Sequence, residues 1–198
     1  MAFVVDTANA VIAARGGRLL DFEEVGAMTG LPLDAIFRRV WPDLTTAAAG
    51  ILTDEYRAIY DAKVIPATRL FRGARATLAE FRSLGLRQAT VTGKRAADAE
   101  RILRGLGVTE IDLYLGGDSA ALPTPAPDLA LAALAGLRVD RARAVVVGDT
   151  RTDMAMGRAA GVRTIQVRWG YERRPLPEAD TVVRTWPDLR RAVRAFAH

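Results

Sequence analysis

From about residue 70 onward, short runs of β-branched and apolar residues alternate with longer stretches of helical periodicity. In the helical stretches the apolar residues recur every three or four positions, whereas the short runs are almost continuously apolar. This alternation is typical of parallel βαβ units, because each helix returns the chain to the start of the next parallel strand. The pattern therefore predicts an α/β fold with a central parallel sheet flanked by helices.

The individual strands and helices are predicted from the same pattern. The predicted strands are Phe3–Val5, Gln88–Val91, Asp112–Leu115, Ala144–Val147 and Arg163–Val167, with Thr181–Val183 at an edge. The predicted helices between and after them cover residues 75–84, 95–106, 128–136, 153–160 and 187–196.

The segment from residue 15 to residue 69 has a different pattern and contains no predicted strand. Its apolar positions recur at intervals of three and four residues, as in Leu33–Val40, which indicates amphipathic helices. We therefore predict that residues 1–14 and 70–198 form the α/β domain. Residues 15–69 are predicted to form a small all-helical domain inserted after the first strand.

Composition excludes several classes of protein. The chain has 198 residues, of which 50% are hydrophobic, so it is long and apolar enough to bury a core. It contains no cysteine, which excludes a disulfide framework, a thiolate nucleophile and a cysteine-ligated metal centre.

The net charge of +5 raises the question of nucleic-acid binding. Of the 28 basic residues only Lys63 and Lys94 are lysine, and the arginines are spread along the chain. The densest group lies within residues 184–194, on a predicted helix whose apolar stripe leaves Arg190, Arg191 and Arg194 facing solvent. A basic face of this kind is usually only solvated, and no nucleic-acid partner is predicted.

No segment of the sequence is predicted to enter a membrane. The longest apolar run, Leu129–Leu137, has nine residues and is too short to span a bilayer. The first residues lack the basic region and the cleavage site of a secretory signal. We therefore predict a cytoplasmic protein without a membrane partner.

Polar residues follow three of the predicted strands. These residues are Asp6, Thr92 and Asp149, and open parallel sheets bind ligands at the carboxyl ends of their strands. If a helix begins at Thr150, the carboxylates of Asp149 and Asp153 face the same cavity. Together with Asp6 they would bind a hard cation such as Mg2+, which prefers oxygen ligands. The alternative is that Asp149 caps the helix and Asp153 lies exposed in its first turn.

Four short motifs follow one another in a fixed order along the chain. They are a strand ending in Asp6, VTGK at residues 91–94, PAPD at residues 125–128 and GDTRTDM at residues 148–154. In order and spacing, nearly the whole chain resembles the haloacid dehalogenase superfamily, in particular its phosphoglycolate-phosphatase-like and phosphonatase-like members. The resemblance implies a Rossmann-like core, in which the helical insert corresponds to the family's cap domain.

The resemblance also implies a mechanism. Asp6 would be the nucleophile that takes up the phosphoryl group as an aspartyl-phosphate. Mg2+ would be bound by the Asp6 carboxylate, the backbone carbonyl of Ala8 and the Asp149 carboxylate, and Asp153 would support this cluster. The Thr92 hydroxyl would donate a hydrogen bond to a phosphate oxygen. The implied protein is a Mg2+-dependent phosphatase that acts on a small phosphorylated metabolite.

Two positions depart from the family pattern. Ala8 replaces the second aspartate of the first motif, which serves the family as general acid and base. Thr124 replaces the lysine before the third motif, which offsets the charge of the carboxylates and the phosphate. Lys94, at a strand-to-helix turn two residues after Thr92, is the first candidate for the missing cation, since a helix N-terminus also favours anions. Arg151 is the second candidate.

These departures leave two alternatives open. A degenerate member of the family would keep the fold and serve as a binding or interaction protein. A phosphonatase-like C–P hydrolase also carries alanine at the position of Ala8, but it needs a cap lysine for a Schiff base. The corresponding segment, Gly30–Leu33, contains no lysine, and Lys63 lies much later in the helical insert.

Two features in the last third of the chain are predicted to have structural roles only. His198 is the lone histidine and the last residue, where chain ends commonly fray. Trp169, Gly170 and Tyr171 follow the strand Arg163–Val167, and we predict that they close the core rather than line the site.

Overall fold

The computed structural model describes residues 2–28 and 33–197. It divides into two compact units, Met1–Arg69 and Leu70–His198, called here the helical unit and the sheet unit. Two predictions from the sequence concern residues that are not described: the segment Gly30–Leu33, apart from Leu33 itself, and His198.

The helical unit consists of four described helices, α1 (Ala2–Ala13), α2 (Phe22–Ala27), α3 (Asp34–Val40) and α4 (Thr46–Ala67). Both α1 and α3 pack against α4. The helices enclose an apolar core formed by Ala8, Val11, Ile12, Leu20, Val25, Ile36, Phe37, Leu52 and Tyr56. Among the described residues, no helix has both the length and the apolar character needed to cross a bilayer.

The predicted strand Phe3–Val5 is wrong, because these residues lie in α1. Val4, Ala8, Val11 and Ile12 recur at helical spacing, and the last three are at most 2% exposed in the core. A short apolar run does not by itself distinguish a strand from a buried helix, and packing against α4 decides for the helix. Residues 1–14 therefore belong to the helical unit and not, as predicted, to the sheet domain.

The sheet unit contains the predicted alternation of strands and helices. Its strands are β1 (Ala89–Val91), β2 (Leu113–Leu115), β3 (Val145–Gly148), β4 (Arg163–Val167) and β5 (Thr181–Val183). Its helices are α5 (Ala74–Ser83), α6 (Ala96–Gly105), α7 (Asp128–Leu137), α8 (Arg151–Ala159) and α9 (Trp186–Ala197), with a short 3₁₀ turn at Arg141–Arg143. Each predicted element from residue 70 onward is present, with its ends shifted by at most two residues.

The described strands form two parallel sheets instead of one central sheet. β1 pairs with β2, and β3, β4 and β5 pair in that order. Helix α7 packs against the first sheet, α8 packs against β3 and β4, and α9 packs against β4 and β5. Parallel strands that are buried between helices have continuous apolar sequences. These runs made the strands predictable from the sequence. The predicted α/β class, with parallel strands flanked by helices, is confirmed.

Candidate active site

Each of the first four strands is followed by a polar or glycine-rich turn. These turns are residues 92–94 after β1, 116–118 after β2, 149–150 after β3 and 169–171 after β4. Because β1 is parallel to β2 and β3 is parallel to β4, the turns meet in two pairs at the carboxyl ends of their sheets. Ligands of open α/β sheets bind at this edge, and the structure places Thr92, Lys94, Asp149 and Asp153 there.

The turn after β4 fixes the carboxylate of Asp149. The backbone N–H of Tyr171 donates to Asp149 Oδ2 at 2.5 Å, and the N–H of Glu172 donates to the Asp149 carbonyl at 3.0 Å. A Cβ atom at Gly170 would collide with the Asp149 carboxylate, so the close approach of the two turns requires glycine. Among the described residues, no hydrogen bond to Asp149 Oδ1 is found, which leaves this oxygen open to a ligand.

Asp153 orients the same turn. Its Oδ2 accepts hydrogen bonds from the backbone N–H of Asp149 at 3.1 Å, the N–H of Thr150 at 2.9 Å and the Thr150 hydroxyl at 2.6 Å. Thr150 and Asp153 form a capping box at the start of α8. The alternative that Asp149 caps this helix is therefore wrong, because Thr150 is the cap.

The turn after β2 fixes the turn that carries Thr92 and Lys94. The N–H of Gly117 donates to the Lys94 carbonyl at 2.8 Å, and a Cβ at Gly116 would collide with that carbonyl. Asp118 Oδ1 accepts from the N–H of Ala96 at 2.8 Å, so a carboxylate of the protein itself caps α6. One N–H of the helix N-terminus that is expected to attract an anion beside Lys94 is thus already bound to the protein.

Lys94 and Arg151 have different surroundings. Arg151 forms an ion pair with Glu178, which engages its guanidinium group. Lys94 is exposed and lines, together with Thr92, a cavity of about 1150 Å³. This cavity is bordered by residues 89–91 of β1 and residues 145–147 of β3, and we call it the β1–β3 cleft.

The prediction for Trp169, Gly170 and Tyr171 is correct in part. The Trp169 ring packs against Trp186, with ring centroids 4.7 Å apart, in the core of the sheet unit. Gly170 and Tyr171, by contrast, shape the surroundings of Asp149. Sequence reasoning also missed Asp118, although a polar residue shortly after an apolar strand was the signal that identified Thr92.

The sequence profile of haloacid dehalogenase-like hydrolases matches residues 2–167. The chain belongs to this family.

The relatives of this haloacid dehalogenase-like hydrolase include phosphatases. It is 30% identical to the protein named Probable phosphatase IndB of Dickeya dadantii, over 98% of this chain and 90% of that protein. It is 34% identical to a plasmid-encoded phosphoglycolate phosphatase of Cupriavidus necator, over 85% of this chain and 74% of that enzyme. The crystal structure of a HAD hydrolase, family IA, variant 3, from Entamoeba histolytica superposes with a TM-score of 0.81 at 14% identity, covering 100% of this chain and 93% of that one.

The roles assigned to Asp6 and Ala8 in this haloacid dehalogenase-like hydrolase lose their structural basis. Asp6 is exposed on α1 of the helical unit and does not follow a strand. Ala8 is 0% exposed in the core of that unit, and its carbonyl lies inside a helix, where carbonyls accept the N–H four residues on. Neither the predicted nucleophile nor the predicted carbonyl ligand is therefore placed as the family motif requires.

The described residues do not complete a magnesium site. Within residues 2–28 and 33–197, no group of three His, Cys, Asp or Glu side chains lies close enough to hold a metal ion. Asp149 offers one open carboxylate oxygen, whereas Asp153 Oδ2 is occupied by three donors. The described residues thus offer a hard cation a single open carboxylate oxygen, which is not a complete metal site.

Proposed function

We propose that the protein is a phosphatase that hydrolyses a phosphate monoester of a small metabolite, with Mg2+ as its cofactor. Membership of the haloacid dehalogenase-like hydrolases and similarity to named phosphatases support this reaction class. The observation that carries the proposal is the Asp149 carboxylate, which the backbone N–H of Tyr171 binds at the end of β3 with one oxygen open. A fixed carboxylate at this edge suits Mg2+, which neutralises phosphate charge when bound.

Thr92 and Lys94 are the proposed phosphate-binding residues. Thr92 directly follows β1, and its hydroxyl can donate a hydrogen bond to a phosphate oxygen. Lys94 brings a positive charge to the same turn, which offsets the charge of a phosphate dianion at a site that already contains Asp149. Thr124 is neutral at the position of the family's lysine. The positive charge of Lys94 therefore contributes a larger share of the charge that offsets the phosphate.

The proposed route is an aspartyl-phosphate intermediate. A carboxylate oxygen attacks phosphorus, the P–O ester bond breaks, and the leaving alkoxide takes its proton from water, since Ala8 replaces the family's general acid. A water molecule then attacks phosphorus, which releases inorganic phosphate and restores the carboxylate. Asp6 is not placed for the first step, because it lies exposed on α1.

The test of this function is an assay of the protein at its native length against phosphoglycolate, sugar phosphates and p-nitrophenyl phosphate, with Mg2+. We expect phosphate release, and a loss of kcat/KM of about 100-fold in Asp149→Asn. Asp140→Asn is the matched control, because Asp140 is exposed and precedes β3 at its amino end. Equal activities of the two variants would contradict the role of Asp149.

The two lysines of the chain provide a second matched pair. Lys94→Ala is expected to raise KM about tenfold, because a charge-assisted contact to phosphate is lost. Lys63→Ala, an exposed position on α4, is expected to leave KM unchanged. Asp6→Asn is expected to retain activity. Loss of activity in Asp6→Asn with intact folding would restore the original nucleophile assignment.

A binding protein without turnover is the second candidate. The absence of a three-acid group among the described residues favours it, as does the neutral Thr124. A thermal shift with phosphoglycolate or a sugar phosphate, without phosphate release at native length, would establish this second function. No observation on the sheet unit favours the phosphonatase alternative, and we do not propose it.

A further inference from the structure

The β1–β3 cleft is bordered by strand edges that have no partner. Within the described residues, β1 pairs only with β2, and β3 pairs only with β4. The cleft of about 1150 Å³ is lined by β1 and β3 but by no residue of β2, β4 or β5. Unpaired strand edges normally receive a covering element, and parallel strands are normally buried between helices.

The walls of the cleft resemble an interior surface. Its other sides are formed by α5, α6, α7 and α9, which contribute Phe81, Ile102, Leu134 and Leu189. Thr77 on α5 lies in the same lining and is 0% exposed, yet its hydroxyl has no hydrogen-bond partner among the described residues. Because a small apolar ligand would leave the backbone groups of both edges unpaired, the space fits a polypeptide strand.

Topology indicates where in the sequence this strand belongs. A strand between β1 and β3 would join the two sheets into one, with the spatial order β2, β1, new strand, β3, β4, β5. If the new strand is first in the chain, this order becomes 3-2-1-4-5-6, the common order of doubly wound α/β folds. The described residues before β1 form helices and turns and contain no strand, so the new strand is not among them.

We infer that the natural protein contains a β-strand ahead of Met1 that fills the β1–β3 cleft, parallel to β1 and β3. The segments after it, the helical unit and α5, form the crossover connection to β1. The strand is continuously apolar, because it lies at the centre of a sheet covered on both faces.

The strand also explains why the candidate site is incomplete. Its carboxyl end reaches the same edge as those of β1 and β3, between Thr92 and Asp149. The residue that follows it therefore occupies the position that Asp6 was expected to fill. This consequence, unlike the strand itself, rests on the proposed phosphatase function: the 198-residue chain alone releases no phosphate in the assay above, whereas the extended chain does.

The first test is the intact mass and N-terminal sequence of the protein isolated from its natural source with an antibody against this chain. We expect a mass above the 21.4 kDa of the 198 residues, with an apolar run of about five residues in the added segment. A native mass of 21.4 kDa, or an added segment without such a run, overturns the proposal.

The second test compares amide hydrogen exchange in the 198-residue chain and in the chain extended to its native start. Alternate amides of residues 89–91 and 145–148 are expected to be protected only in the extended chain. The amides of β4, which has a neighbour on each side, serve as the internal control. Equal exchange at β1 and β3 in both chains overturns the proposal, as does protection of these amides by dimerisation of the 198-residue chain.

A matched pair of substitutions completes the test. Val147 on β3 lines the cleft and is 42% exposed, and Val182 on the edge strand β5 is 37% exposed. Val147→Asp is expected to lower the unfolding midpoint much more in the extended chain than in the 198-residue chain, because the carboxylate becomes buried. Val182→Asp is expected to shift both chains alike. Equal effects of Val147→Asp in the two chains overturn the proposal.

These measurements do not depend on catalysis. If the extended chain shows the new protection at β1 and β3 but releases no phosphate, the strand is established and the proposed function fails. If the native protein has the mass of the 198 residues and releases phosphate, the function stands and the strand is overturned.

Discussion

Single glycines determine how close the turns at the strand ends come to one another. Gly170 allows the turn after β4 to approach Asp149, and Gly148 allows the end of β3 to approach Asp153, because a Cβ at either position would collide with the carboxylate side chain. The motif containing Asp149 was recognisable in the sequence. Its contact with Gly170 joins residues about twenty positions apart, and no local pattern announces it.

We predict that Gly170→Ala destabilises the protein by about 1–3 kcal/mol, because the added methyl group overpacks the turn around Asp149. Gly93→Ala is the matched control, since Gly93 also lies in a turn after a strand, but a methyl group added there would have no atom within 4 Å. The free energy of unfolding is measured by urea denaturation. Equal values for the two variants would show that the turn relaxes freely.

Helix ends in the helical unit depend on side-chain caps. Asp21 and Glu24 form a capping box at the start of α2, and Arg18 donates to Glu24 Oε1 at 2.7 Å. The hydrogen bond from Arg18, followed by the bond from the Asp21 backbone, lowers the pKa of Glu24 to about 2 from its ordinary value of 4.5. The charged form of Glu24 is therefore the form that stabilises this end of α2.

This pKa shift predicts a pH dependence of stability. Since the pKa of Glu24 is lower in the folded than in the unfolded protein, its contribution is complete above about pH 4.5 and is lost as the pH falls towards about 2. Glu24→Gln should therefore be less stable than the unchanged protein at pH 7, and this difference should shrink below about pH 4.5.

Urea denaturation at a series of pH values measures this difference. Glu23→Gln is the control, because Glu23 is an exposed acid in the same helical turn. A difference between Glu24→Gln and the unchanged protein that stays constant as the pH falls towards 2 would contradict the contribution of the Glu24 charge.

The positive charge of the protein is locally balanced where arginines are densest. Arg190 and Arg194 of α9 both contact Glu80 of α5, at 3.2 and 2.6 Å, and Arg191 lies 3.8 Å from Asp188. Arg190 and Arg194, which were predicted to face solvent, thus also connect α9 with α5. Because these arginines of α9 have carboxylate partners, they attract a polyanion less strongly than the number of arginines in the sequence suggests.

We therefore predict that the protein binds duplex DNA more weakly than about 10⁻⁴ M at physiological salt, outside the usual range of non-specific DNA binders. Fluorescence anisotropy of a short labelled duplex measures this affinity. The Glu80→Gln variant, which frees Arg190 and Arg194, should bind more tightly than the unchanged protein. Salt-dependent micromolar binding by the unchanged protein would contradict the prediction.

Most of the sheet unit could be predicted from its sequence. The strands and helices after residue 70 have unambiguous periods, so β1 to β5 and α5 to α9 were located to within two residues. The positions of Thr92, Lys94, Asp149 and Asp153 beyond the ends of β1 and β3 were also predicted, because a polar residue after an apolar strand is a local pattern. Asp118 and Tyr171 were not predicted to contribute, because each forms its hydrogen bond with a different turn that is distant in the sequence.

The sequence by itself determined the α/β class, the family and the polar ends of the strands. Only the tertiary structure decided that residues 2–13 form a helix, that Asp6 lies outside the strand-end site and that β1 and β3 keep open edges. The physical reason is one of magnitude. Local preferences for helix or strand differ by less than about 1 kcal/mol per residue, whereas burying an apolar side chain such as Ile12 contributes about 1.5–3 kcal/mol. Such burial depends on residues far apart in the chain, and the local pattern of Phe3–Val5 does not contain them.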